Sequence, residues 1–392
     1  MALPLEGIKI LDLSTMLPGP FCSMILADFG AEVIKVEAVK GGDLFRGGVP
    51  KIGDTGGAFF QVNRNKKSIT LNLKSDEGKE IFYKLAKDAD VVLEQYRPGV
   101  VKKLGVDYET IKAINPKIVY CSLSGYGQTG PYRLTSGHDL NYISYAGILG
   151  LTARKGQTPT IPGVQIADIG GGALYAAIGI LIALMGVKQN GVGQYVDTSM
   201  LDGAVSWLPV LANDYFVKGV SPKAAENILN GQNACYEVYE TADGRYISIG
   251  AIEPHLWANF CDAIKEEFKL WQRDLTKQDE MFAYLREMFK SKTQAEWIEK
   301  LTGVDCCWAP VKNLEEVFAD PQVLARDMVY EMTDPAGCYG SVKMIGSAVK
   351  LSETPARQEL FPPRKGEHNV EYLKAVGYSD EQIAEFEKNG II

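Results

Sequence analysis

The chain opens with a short apolar, β-favouring run, Ile8 to Leu13, which stops at the turn-forming segment Ser14-Thr15-Met16-Leu17-Pro18-Gly19-Pro20. Phe21 to Phe29 takes on helical spacing, Gly30 is placed to end it, and Glu32 to Glu37 is again apolar and β-branched. Strand, helix and strand in that order predict a βαβ unit. The alternation recurs with Ser68 to Leu73 as a strand, Asp76 to Asp88 as a helix with acids in its first turn, and Val91 to Glu94 and Lys117 to Ser122 as two more strands. Strands separated by helices imply a parallel sheet covered on both faces, and such sheets bind ligands at the carboxyl ends of their strands. The loops after Leu13, Glu37, Glu94 and Ser122 are therefore the places where a site is expected.

Further along, Gly172 to Lys188 reads as a buried helix, because its apolar run from Ala173 to Val187 is about 15 residues and shorter than the ~20 that span a bilayer. The segment Gly191 to Asp197 returns to a strand and a helix carries the chain to about Lys218. The glycine- and asparagine-rich stretch from Asn227 to Asn233 marks a domain boundary. Glu237 to Ile249, around Ala242-Asp243-Gly244, reads as a hairpin, with helices expected over His255 to Phe268 and Gln294 to Leu301. From about Val329 the glycine-rich segment through Ser347 reads as a return crossing. The expected division is a large domain over 1–225, a small domain over 226–328, and a segment over 329–392 that completes the large one.

With 392 residues, 46% of them hydrophobic, the chain can bury a sizeable core. A net charge of −8 and a pI near 5.2 argue against a general nucleic-acid binder, so an anionic ligand must be met by a local basic patch. The first quarter supplies one, in Lys35, Lys40, Arg46, Arg64, Lys66, Lys67, Lys74, Arg97, Lys102 and Lys103. A polyphosphate fits that pattern. Seven cysteines without a Cys-x-x-Cys pair point to a reduced, cytoplasmic protein, and the N-terminus lacks the basic start and apolar centre of a secretory signal.

No Gly-x-Ser-x-Gly elbow, metal-ligand motif or Walker loop is present, which weakens hydrolase and phosphotransferase readings. Gly125-Tyr126-Gly127-Gln128-Thr129-Gly130 matches the dinucleotide string, but Pro131 and the polar residues after it do not open a long helix, so it reads as the wall of a cleft. Three groups can handle protons. His138, in Gly137-His138-Asp139-Leu140-Asn141-Tyr142, is of the residue type best poised near neutral pH, with Asp139 or Asn141 available to orient its ring; a structural histidine is the alternative. Asp168 precedes Gly170-Gly171-Gly172 and an apolar helix, which suits an N-cap as well as a catalytic carboxylate. The same glycines would let backbone amides meet a thioester oxygen. Glu253, between Ile252 and Pro254, needs a partner, for which an ordinary salt bridge to lysine would serve.

Beyond these patterns, nearly the whole chain resembles the class III coenzyme A transferases (the CaiB/BaiF type), and within them the α-methylacyl-CoA racemase branch. The likeness runs through Leu5-Glu6-Gly7-Ile8-Lys9-Ile10-Leu11-Asp12-Leu13 with Pro18-Gly19-Pro20, then Ala31-Glu32-Val33-Ile34-Lys35-Val36-Glu37, Asn63-Arg64-Asn65-Lys66-Lys67-Ser68, Arg97-Pro98-Gly99, Ala309-Pro310-Val311, Ala319-Asp320-Pro321 and Gly377-Tyr378-Ser379. The resemblance implies an α/β fold with a Rossmann-like large domain, a smaller α+β domain, an interlocked homodimer and an acyl-CoA thioester substrate. It implies neither a cofactor beyond the CoA of that substrate nor insertion into a membrane. In the racemases, residues matching His138 and Asp168 are opposed acid/base groups and one matching Glu253 assists the histidine; in the transferases the aspartate is a nucleophile. Gly-His-Asp-Leu-Asn-Tyr at 137–142 and Gly-Ala-Ile-Glu-Pro at 250–254 are racemase-like. Where some relatives carry arginine after the glutamate matching Glu37, this chain has Ala38, so CoA phosphate contacts are expected from other cations. The residues expected at CoA are Met16, Leu17, Leu73 and Tyr96 with Lys35, Lys40, Arg46, Lys74, Arg97 and Lys103; the acyl pocket is expected at Met16, Leu17, Tyr142, Tyr145 and Ile169.

Overall fold

The computed structural model describes residues 1–392. Residue contacts divide the chain into two compact units, one made of 1–146, 163–207 and 321–392, the other of 147–162 and 208–320. The segments 147–162 and 208–225, which local patterning placed with the large domain, group with the second unit. Segregation of contacts is a property of packing that no short window of sequence carries.

In the first unit six strands form one parallel sheet: β1 (Lys9–Asp12), β2 (Glu32–Glu37), β3 (Lys66–Thr70), β4 (Val91–Glu94), β5 (Val119–Ser124) and β6 (Tyr195–Ser199), in the order β3-β2-β1-β4-β5-β6. This is the doubly wound order, in which the chain first builds outward from β1 to β3 and then resumes on the other side with β4. β4 and β5 are buried along their whole length, which suits their mostly apolar residues; the buried polar exceptions are Glu94, Ser122 and Ser124. β3 starts two residues and ends three residues earlier than expected from sequence: the Leu71 amide still donates to Glu37 O at 2.9 Å, but the Asn72 amide turns to Ile391 O at 2.7 Å.

Helix α1 (Pro18–Asp28) starts with proline at its first turn, where no amide partner is needed, and is followed by Gly30 with φ +103°. Helix α2 (Asp76–Lys87) is capped by Ser75, whose Oγ accepts from the Gly78 amide at 3.0 Å; Asp76 and Glu77 open it and Lys84 and Lys87 close it, each sign suited to the helix dipole. Its buried face, Ile81, Phe82, Leu85 and Ala86, enters the core with Leu11, Ile34, Val92 and Tyr120. Next come α3 (Asp139–Tyr145), a π-helix over Ile166–Ala173 and α4 (Leu174–Asn190).

α4 corrects the expectation of a buried helix. Only a stripe of three alanines and one isoleucine, Ala176, Ala177, Ile180 and Ala183, is buried, whereas Ile178, Ile182 and Met185 are 49, 66 and 56% exposed. An all-apolar sequence does not say which side meets the sheet. Here the small residues allow close approach: a Cβ on Gly179 would lie 2.8 Å from Val196. The continuous helix from Ile166 to Asn190 has 25 residues with mean hydropathy 2.0, long and apolar enough to cross a membrane by those measures, and 44% of its apolar window is buried in the fold. Helix α5 (Met200–Val205) follows β6.

The second unit contains α6 (Pro209–Lys218), an antiparallel sheet of β7 (Tyr236–Glu240), β8 (Tyr246–Gly250) and β9 (Trp308–Pro310) in the order β9-β8-β7, and helices α7 (Pro254–Ile264), α8 (Gln278–Phe289) and α9 (Gln294–Leu301). α6 is separate from α5 because Pro209 starts a new helix rather than continuing the old one. α8 was not foreseen, although Met281, Leu285 and Phe289 lie on one helical face in the core beside Trp257 and Trp297. The chain then returns to the first unit with the hairpin β10 (Val329–Thr333) and β11 (Ser341–Ile345), followed by α10 (Asn369–Ala375) and α11 (Asp380–Lys388). The return segment covers the free edge of β3: the His368 amide donates to Ser68 O at 2.9 Å and the Thr70 amide to Asn369 Oδ1 at 2.8 Å.

Candidate active site

A cavity of about 500 Å³ opens at the carboxyl ends of β1, β4 and β5, where β1 and β4 form the switch point of the sheet. Its wall is built from the loops that follow those strands, contributing Met16 and Leu17, then Gln95, Tyr96 and Arg97, then Gly125 and Tyr126; His138, Tyr142 and Asp168 complete it. The imidazole and carboxylate, distant in sequence, thus share one cavity.

His138 is the N-cap residue of α3, in extended backbone, with its amide donating to Asn141 Oδ1 at 3.1 Å. The glycine before it is required by space. A Cβ on Gly137 would lie 2.6 Å from the Tyr142 ring and 2.8 Å from the Tyr126 hydroxyl, and the Tyr142 hydroxyl donates to Gly137 O at 2.5 Å. Asp139 and Asn141, considered as orienters of the imidazole, are used elsewhere. Asn141 caps its own helix, and Asp139 Oδ1 accepts the amides of Ala167 and Asp168 at 2.6 and 3.0 Å. The His-Asp dipeptide therefore links the two halves of the site: one side chain faces the cavity while its neighbour caps the segment that carries Asp168.

That segment is a π-helix, a form rare in proteins and enriched at functional sites. Burial pushes the Asp168 carboxyl up, the neighbouring Asp139 charge adds to the effect and His138 opposes it, leaving the group at about 6. The glycine triplet after Asp168 serves packing rather than ligand contact. Gly170 lies under Trp207, Gly171 and Gly203 meet backbone to backbone, and none of Gly170, Gly171 and Gly172 reaches the cavity wall, contrary to the expectation that their amides would meet a thioester oxygen.

Of the residues expected at CoA, Met16, Leu17, Tyr96 and Arg97 line this cavity, and Arg97 donates to Ser136 Oγ at 2.7 Å. Tyr142 lines it too, whereas Tyr145 and Ile169 lie outside the wall. Lys40, Lys74 and Lys103 are exposed and form no ion pair within the chain, and Leu73 is buried. Lys35 and Arg46 are committed inside the fold. The Lys35 ammonium sits 2.7 Å from Asp43, and Arg46 clamps Glu37 at 2.7 and 2.8 Å while stacking over Phe59. Arg64 with Asp28 and Lys66 with Asp12 are likewise buried pairs. Much of the basic cluster is therefore structural, because a buried cation persists only where a carboxylate is buried beside it.

Glu253 belongs to the second unit, exposed at the N-cap of α7, and forms no salt bridge. Sequence reasoning missed Asp139 as a cap, Gln95, whose Oε1 accepts the Gly19 amide at 2.9 Å, and Ser136. Nothing in local sequence marks Gln95 or Ser136; Asp139 carried a signal in its position beside a candidate base.

Comparison with known proteins agrees with this architecture. Residues 5–369 match CoA-transferase family III. The chain is 39% identical to an acyl-CoA transferase of Fusarium pseudograminearum, over 99% of this chain and 88% of that protein. It is 34% identical to the α-methylacyl-CoA racemase of Mus musculus, over 99% of this chain and 97% of that one. A crystal structure of a CaiB/BaiF family protein from Brucella suis superposes with a TM-score of 0.83 at 31% identity, covering 96% of this chain and 100% of the other. With the sheet order, the cavity and the match over nearly the full length in agreement, the chain belongs to CoA-transferase family III.

Proposed function

We propose that the protein is an acyl-CoA racemase that inverts the α-carbon of 2-methylacyl-CoA thioesters by two-base proton transfer. The observation that carries this reading is the presence of His138 and Asp168 on one cavity wall, with the carboxyl held at about 6. A thioester acidifies its α-carbon. Inversion needs one group to remove the proton from one face and another to deliver a proton to the opposite face, passing through an enolate. A carboxyl raised toward neutrality is a stronger base when ionised than an ordinary aspartate, and enough of it is protonated near neutral pH to serve as a proton donor as well. Arg97, Tyr96, Met16 and Leu17 would hold the CoA thioester at the mouth, with Lys40, Lys74 and Lys103 as further phosphate contacts. Glu253 would assist His138, as the racemase resemblance implies. The open apolar face of α4 supports association with a second copy, and the interlocked form of that homodimer is what the family resemblance implies. No cofactor beyond the CoA of the substrate enters the proposed chemistry.

A second reading has support in the likeness to acyl-CoA transferases, in which Asp168 would be the nucleophile that carries an acyl group as an anhydride. Incubation of one enantiomer of a 2-methylacyl-CoA in deuterated water separates the two. The racemase exchanges the α-hydrogen and loses optical purity with no second acid present. Transfer of CoA to an added carboxylate without exchange, together with a hydroxamate formed at Asp168 on treatment with hydroxylamine, would refute the proposal.

A further inference from the structure

Beneath the loop that carries Met16 to the cavity lies a buried ionic network that the proposed reaction does not use. Asp12, Glu37 and Asp43 are matched by Lys35, Arg46 and Lys66, and five of these six side chains are nearly free of solvent, Arg46 being the partly covered member. Four of them, Asp12, Lys35, Asp43 and Lys66, bond to the backbone between Ser14 and Pro20. Asp12 Oδ1 accepts the Ser14 amide at 2.9 Å and its Oδ2 accepts the Ser23 hydroxyl at 2.6 Å. Lys35 donates to Ser14 O at 2.9 Å, and Lys66 donates to Pro20 O at 2.8 Å. Asp43 contributes most. Its Oδ1 accepts the Met16 amide and the Thr15 hydroxyl, both at 3.0 Å, while Oδ2 faces Lys35 at 2.7 Å.

Met16 is the residue in need of holding. Its φ is +65°, the left-handed region that costs a residue with a Cβ about 1–2 kcal/mol. Buried ion pairs are often no better for stability than an apolar core would be, and in some proteins such groups serve to fix one conformation. Burial alone would push the Asp12 carboxyl up, but Lys66 and Lys35 pull it down to about 2, so its charge persists across the neutral range.

We propose that Asp43 is a positioning residue that locks the Met16 backbone in its left-handed conformation and so sets the shape of the cavity wall against the acyl-CoA, without touching it. The inference rests on the proposed acyl-CoA ligand, not on which reaction follows.

The test is a cycle between positions 43 and 16, read as the Kd of 2-methylpropanoyl-CoA by calorimetry. This achiral thioester gives no net racemisation, so the binding result stands whether or not the exchange assay supports a racemase. Asp43→Asn, with melting and circular dichroism confirming the fold, should weaken binding about tenfold, equivalent to about 1.4 kcal/mol. Glycine adopts a positive φ without strain, so in a Met16→Gly background the same change should cost less than about threefold. Thr15→Val removes one donor to Asp43 without uncovering Lys35, and should give a smaller loss that Met16→Gly again suppresses; it decides the matter if Asp43→Asn does not fold. Equal losses in both backgrounds, or undiminished binding by folded Asp43→Asn, would overturn the proposal.

Discussion

Gly203→Ala tests how far the placement of Asp168 depends on one close backbone contact. A Cβ at position 203 would come 1.9 Å from Gly171 O and 2.5 Å from both Gly171 C and Cα. All three are backbone atoms of the π-helix that carries Asp168, so no side chain can swing aside and α5 must separate from it. Overpacking costs about 1–3 kcal/mol, and rigid neighbours put this substitution at about 3. At roughly 2–4 °C per kcal/mol for a folding unit of this size, calorimetry should show the melting temperature falling by roughly 6–12 °C. The same displacement should lower α-hydrogen exchange about 100-fold well below the melting point, as misplacement of a reacting group by about 1 Å does. Gly163→Ala is the control, since a Cβ there meets nothing within 4 Å and it should leave both readings unchanged. A Gly203→Ala protein that melts within about 2 °C of the parent and exchanges at full rate would refute the idea that glycine–glycine contact sets this geometry.

Three other outcomes follow from the same structure. Because burial holds the Asp168 carboxyl protonated to about 6, kcat/KM for exchange should rise with pH through that value as the base form appears, and Asp168→Asn should abolish both the activity and the limb. Arg64→Ala leaves Asp28 buried without the guanidinium now 2.6 Å away, and urea unfolding should show a loss of about 3–5 kcal/mol. Ellman's reagent should titrate two thiols in the folded protein, the exposed Cys307 and Cys338, and all seven after unfolding; Cys121, which burial pushes up to about 12, should be among the slow ones.

Several features of the site were legible because local chemistry dictates them. β2 and β4 begin and end where their β-favouring runs do, because apolar and β-branched residues suit a strand buried on both faces, although β2 also carries the buried Lys35 and Glu37. The motif from Gly137 to Tyr142 drew attention to His138, whereas the reason for the glycine, a Tyr142 ring against the missing Cβ, came only with the fold. The basic cluster misled for an equally physical reason. Sequence counts cations, but only the fold decides which of them meet a carboxylate, and Lys35, Arg46, Arg64 and Lys66 all do.

By itself, the sequence determined the alternation of strands and helices, and hence a parallel sheet with its ligand loops at one end; periodicity and turn residues act over a few positions and need no partner. Tertiary structure alone decided that Asp139 would cap the π-helix, that the glycine triplet would face α5 instead of the cavity, and that α4 would leave its larger residues open. Each of those outcomes depends on which surfaces meet across long stretches of chain, and the hydrophobic effect that drives them together has no direction written into any single residue.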